Sequence, residues 1–109
     1  MTQSDASKIG PGSVALVTGA SRGLGRAIAI ALGAKGYKVA VNYVSNKDRA
    51  ESVVREVEAA GGSGAVFGAD VRDEAQVAAM CQDIEKTLGP IDILVPNATG
   101  PQPFIKLED

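Results

Sequence analysis

Four short apolar runs, Val14–Val17, Lys38–Tyr43, 64–67 and Ile91–Val95, alternate along this chain with three segments of helical hydrophobic period. Neighbouring parallel strands need a crossover of a dozen or more residues, most simply a helix. The alternation therefore predicts an α/β fold with a parallel sheet rather than a hairpin-built one. Right-handed crossovers then give the strand order 3-2-1-4 of a doubly wound, Rossmann-like sheet.

The helical segments carry their own boundary signals. The first, 23–35, places Leu24, Ile28, Ala31 and Leu32 on one face and stops at Gly36. The second, 47–60, places Ala50, Val53, Val54 and Val57 inward; Ser45 or Asn46 can cap it, and Gly61-Gly62 ends it. Glu51 and Arg55 stand at i, i+4 on its wet side. The third, 73–88, turns Val77, Cys81, Ile84 and Leu88 inward, with Cys81 as a buried small hydrophobe. Asp73 and Gln76 have capping-box spacing, and Gly89-Pro90 terminates the segment.

With 109 residues, the chain is long enough for one domain. Residues 1–12, polar and closed by Pro11-Gly12, read as a flexible tail; residues 13–109 read as the domain. Aromatics are 4% and apolar residues 45%, so Ala, Val, Ile and Leu must fill the core, as under a helix-covered parallel sheet. The net charge is −2 with no basic block, which argues against nucleic-acid and acidic-membrane partners. One cysteine and no histidine exclude an internal disulfide, a histidine-based zinc site and a Ser-His-Asp triad. No secretory core or run of about 18 apolar residues stands out, so the expected location is cytoplasmic.

The chemistry is concentrated after the first strand, in Thr18-Gly19-Ala20-Ser21-Arg22-Gly23-Leu24-Gly25. A strand, a glycine turn and a helix in succession form a cradle for a dinucleotide's pyrophosphate. The helix N-terminus presents amides and partial positive charge to the anion. Glycines let backbone and phosphate approach without an intervening Cβ. The spacing G-x-x-x-G-x-G is not that of a Walker A loop, because no G-K-[ST] follows.

This stretch resembles the T-G-x-x-x-G-x-G fingerprint of the short-chain dehydrogenase/reductase family. The flanks, 14–29, are similar in particular to its 3-oxoacyl-(acyl-carrier-protein) reductase branch. The similarity runs from about Ser13 to the C-terminus and covers less than half of what such proteins usually contain. It implies a nicotinamide coenzyme held by Gly19, Ser21, Arg22, Gly23, Leu24 and Gly25. It implies adenine contacts from Asp70 and Val71, whereas the residues alone also allow Asp70 to act only as a turn former. Pro96-Asn97-Ala98-Thr99-Gly100 resembles the family's N-N-A-G segment, which implies contacts from Asn97, Ala98 and Thr99. Pro96 stands where the first Asn would be and Thr99 where the Gly would be.

The end of the second strand bears on which coenzyme is bound. NAD-specific enzymes place an acid there for the ribose hydroxyls. This chain has Asn42-Tyr43-Val44-Ser45-Asn46, with no acid until Asp48. A neutral polar end, Asn42, Tyr43 and Ser45, tolerates a 2′-phosphate, and Arg22 with Ser21 can pair with it. NADP(H) is therefore expected over NAD(H).

Tyr43 and Lys47 have the Y-x-x-x-K spacing of the family's proton-donating pair. They straddle a strand-to-helix boundary at the adenosine end, so they are set aside as catalytic. The family's catalytic Asn, Ser and Tyr-Lys would fall beyond Asp109, so no catalytic residue is expected in this chain. The expected role is the coenzyme half of a reductase of a ketone or 3-oxoacyl thioester. A non-catalytic nucleotide-binding module is the alternative. Ile91–Val95 reads as a central strand that an isolated fragment would expose. A longer protein or a partner chain, such as a homo-oligomer, is the expected setting.

Overall fold

The structure, a computed structural model, describes residues 9–97. The elements follow the order β1 (Val14–Val17), α1 (Gly23–Ala34), β2 (Lys38–Tyr43), α2 (Lys47–Ala59), β3 (Ser63–Gly68), α3 (Glu74–Thr87) and β4 (Ile91–Val95). Every strand pairing is parallel, and the sheet order is β3-β2-β1-β4, as the crossover rule requires. Residues 10–12 are hydrogen-bonded to the chain that follows. Ser13 N–H donates to the Gly10 carbonyl at 2.9 Å, and Gly12 N–H to the Gly36 carbonyl at 2.9 Å. Residues 1–8 of the expected tail lie outside the described residues.

Alternation along the strands sorts the core into two layers. Val17, Val39 and Val41 pack with Ala29 of α1 and Ala50, Val53 and Val57 of α2. Val14, Leu16 and Ala40 pack with Phe67, Met80 and Ile84 on the side of α3. Asn42, two residues after Ala40, belongs to the α3 side and contacts Met80 there.

Helix α1 uses the expected face in part: Ile28 and Leu32 pack against the core, whereas Leu24 and Ala31 do not. Its buried residues are Gly25, Ala29 and Gly33, while Ala31 is exposed and Leu24 is 69% exposed. Small residues at i, i+4 and i+8 let α1 lie close to its neighbours, and a Cβ on Gly33 would sit 2.7 Å from Val57 Cγ1. Hydrophobicity misreads such a face because closeness of approach, not side-chain size, is selected there. In α3 the buried pair is Met80 and Ile84; Cys81 is half-buried at the margin of the cluster rather than inside it. Met80 was not among the residues read as inward.

The helix caps follow the sequence. Asn46, not Ser45, caps α2 by accepting from Arg49 N–H at 2.9 Å. Asp73 caps α3 through Ala75 and Gln76 N–H, and the Gln76 side chain bonds the Asp73 carboxylate and Asp70 N–H. Glu51 faces Lys47 at 4.0 Å rather than Arg55. The Arg26 guanidinium joins α1 to Glu56 of α2, with Nε 2.8 Å from Oε1.

Strand β4 carries a bulge. Its pairing skips from Val14↔Ile91 to Ala15↔Ile93, so Asp92 is the extra residue. The Asp92 carboxylate accepts from Val14 N–H at 2.9 Å, satisfying a donor at the break in the ladder.

Candidate functional site

The carboxyl ends of β1 and β2 frame a cleft of about 480 Å³. The turn after β1 supplies Gly19, Ser21, Arg22, Gly23 and Leu24. The end of β2 and the start of α2 supply Tyr43, Val44, Ser45, Asn46 and Arg49, and Asn97 joins from beyond β4.

One of the three described helices begins without a cap, and it begins here. Arg22 occupies the N-cap of α1 with extended backbone (φ −162°) and no side-chain hydrogen bond, and the first turn holds no acid. Helices α2 and α3, by contrast, have side-chain caps and carry Asp48 and Glu74 in their first turns. The first-turn amides of α1 and about half an elementary positive charge thus remain for an external anion at the cleft.

The turn is held on both sides. Gly19 lies at φ 61°, where a side chain would be strained. Its N–H donates to Asn42 Oδ1 at 3.0 Å, and its carbonyl accepts from Asn97 Nδ2 at 3.3 Å. Ala20 N–H donates to the Asn42 carbonyl at 3.0 Å. Thr18 Oγ1 accepts from Asn97 N–H at 2.8 Å, tying the ends of β1 and β4 together. A Cβ on Gly25 would lie 2.5 Å from Asn97 Nδ2 and closer still to the Gly19 carbonyl oxygen. Only glycine allows α1 to start this near the turn.

The sequence signature of the short chain dehydrogenase family matches residues 13–109. The chain belongs to this family. Among its short-chain dehydrogenase relatives is a 3-oxoacyl-[acyl-carrier-protein] reductase, FabG, of Staphylococcus aureus. It is 49% identical over 84 residues, covering 77% of this chain and 34% of that protein. The crystal structure of a dehydrogenase/reductase from Sinorhizobium meliloti 1021 superposes with TM-score 0.78 at 42% identity, covering 89% of this chain and 39% of that one. The promiscuous reductase LugOII, which catalyses keto-reduction in lugdunomycin biosynthesis, superposes with TM-score 0.74 at 38% identity, covering 83% and 39%. The chain spans about a third of the length of the curated relatives it matches.

In this chain the residues singled out from sequence divide into groups. Gly19, Ser21, Arg22, Gly23, Leu24, Tyr43, Ser45 and Asn97 converge on the cleft. Gly25 lies behind it as the close-approach position. Asn42 does not line it: its side chain is 0% exposed and engaged inside the protein. The reason is strand alternation, which turns Asn42 toward α3. Asp70 and Val71 follow β3 outside the cleft lining. The Asp70 carboxylate accepts from Arg72 N–H, Nε and Nη2 at 3.0, 3.1 and 3.0 Å. Those Arg72 hydrogen bonds hold the Asp70 carboxyl below the usual carboxylate range. Ala98 and Thr99 lie outside the described residues.

Tyr43 and Lys47 go separate ways. The Tyr43 hydroxyl lies 2.9 Å from where a Gly68 Cβ would stand, and Lys47 Nζ faces Glu51. Val44, Asn46 and Arg49 also line the cleft and are not among the site residues expected from the sequence; Arg49 is the charged one. Its local signal is a cation in the first turn of a helix, where the dipole favours an acid. Arg22 and Arg49 have no ion pair among the described residues, whereas Arg26 and Arg72 are each engaged with a carboxylate.

Proposed function

We propose that this chain forms the coenzyme-binding half of an NADP(H)-dependent reductase acting on a ketone or 3-oxoacyl thioester. The observation that carries the reading is the uncapped start of α1 at a cleft walled by the glycine turn. The residues suit a dinucleotide: first-turn amides for the diphosphate, glycine at the close-approach position, and guanidinium groups at the β2 side. Arg22 and Arg49, with the Ser21 and Ser45 hydroxyls, would hold the 2′-phosphate. Each charge-assisted hydrogen bond contributes about 1.5–3 kcal/mol, roughly ten- to a hundredfold in affinity. Asp70 and Val71 would border the adenine, and Asn97, Ala98 and Thr99 the ribose toward the nicotinamide. The bound coenzyme supplies the hydride.

The substrate class rests on the relatives' names, a 3-oxoacyl reductase and a keto-reductase. The groups that hold the carbonyl and move its proton are assigned outside residues 1–109, because neither Tyr43 nor Lys47 is placed for that work. A reducing cytoplasmic setting and a homo-oligomeric state complete the proposal; the single thiol, Cys81, suits the former. Fluorescence titration of the full-length protein with NADPH and NADH, followed by turnover with a 3-oxoacyl thioester, tests it. NADPH is expected to bind about tenfold or more tighter than NADH, with carbonyl-dependent oxidation. Equal affinities overturn the NADP(H) assignment. Binding without turnover of any carbonyl substrate leaves the non-catalytic nucleotide-binding module in its place.

A further inference from the structure

Among the described residues two buried polar side chains, Thr18 and Asn42, interrupt an otherwise apolar core, and both abut the glycine turn. Asn42 Oδ1 accepts from Gly19 N–H at 3.0 Å. Its Nδ2 donates to the Phe67 and Ala69 carbonyls at 3.2 and 3.1 Å and lies 3.5 Å from Met80 Sδ. Its own backbone carbonyl accepts from Ala20 N–H. One residue of β2 therefore binds the turn after β1, the end of β3 and a side chain of α3.

The chemistry at this position specifies the residue. A single group must accept from one amide and donate twice to carbonyls, and a primary carboxamide does both. A carboxylate has no donor, a hydroxyl has one, and Gln carries the amide one methylene too far. The Asn42 carboxamide turns the Gly19 amide into the protein, and the main-chain carbonyl of the same residue does so for Ala20. The amides from Ser21 onward, at the start of α1, are what the cleft presents.

We propose that Asn42 is a positioning residue of the dinucleotide cleft, its buried amide setting which amides of the glycine turn are offered to a diphosphate. The inference rests on the reading of the cleft given above and adds a residue that touches no part of the ligand. It also makes the turn and the carboxyl end of β3 one rigid unit, since the same carboxamide plane joins them.

Amide-resolved hydrogen exchange on the full-length protein, with and without saturating NADPH, tests this directly. Gly19 and Ala20 should be protected before coenzyme is added and unchanged after, while amides in 21–25 gain protection. Gly19 exchanging as an open amide in the free protein, then closing on NADPH, overturns the proposal. A second measurement uses Asn42→Ser with two ligands, NADPH and adenosine 2′,5′-bisphosphate, which lacks the diphosphate bridge. NADPH affinity should fall about tenfold or more and bisphosphate affinity about twofold or less. Equal losses for both ligands indicate general loosening and overturn the proposal. Should that variant not fold, the exchange pattern of the unaltered protein decides. If neither NADPH nor NADH binds, the nucleotide reading itself fails and takes this inference with it. Binding with the wrong amide pattern removes only the role of Asn42.

Discussion

Arg22 and Arg49 reach the cleft from different elements, the glycine turn and the first turn of α2. Neither has an ion pair among the described residues. Under the proposed function each recognises the 2′-phosphate, so Arg22→Glu and Arg49→Gln should each weaken NADPH about tenfold or more, with little change for NADH. Parallel titrations of both coenzymes check this, and equal losses for both would remove the guanidinium groups from phosphate recognition. Gly25 acts through space rather than charge. A valine there places its Cβ against the Gly19 carbonyl and Asn97 Nδ2, so α1 must withdraw from the turn. Gly25→Val should lose coenzyme binding altogether while keeping helical circular dichroism, and retention of wild-type affinity would show that the turn is more pliable than the contacts imply.

Between elements, α1 packs on α2. Gly33 lets α1 approach Val57 of α2, and the Arg26–Glu56 pair spans their exposed rim. The Arg26 hydrogen bond holds the Glu56 carboxyl below its ordinary range. A carboxyl with a lowered folded pKa binds its proton less readily folded than unfolded. Its stabilising contribution is therefore complete above the ordinary carboxylate range and is lost as pH falls through the lowered value. Urea midpoints measured on acidification should fall more steeply for the wild type than for Glu56→Gln; parallel curves would show that the pair is too solvated to matter. The legibility of elements followed the same division. Strand and helix positions could be read from period because each depends on nearby residues. The inward face of α1 was legible only at Ile28 and Leu32; Leu24 is the more hydrophobic choice, but Gly33 is the one that fits beside Val57.

For the molecule as a whole, the parallel sheet orders the site. Strands β1 and β2 end side by side, and crossover handedness puts the turn of one beside the α2 start of the other. Strand β4 pairs with β1 alone among the described residues, and Leu94 is 58% exposed on it. A polypeptide of these 109 residues should self-associate through this edge as concentration rises. Leu94→Lys should raise its monomer fraction in sedimentation; an unchanged distribution would place the association elsewhere. The alternation of apolar runs and helical periods determined the fold class, the strand order and the glycine turn, because backbone geometry and handedness act over a few residues at a time. The tertiary structure alone decided that Asn42 is a buried bracket rather than a lining residue, and that Arg49 joins the cleft. Which way a side chain points at a strand end depends on which helix covers that face, and that is settled by packing between segments distant in sequence.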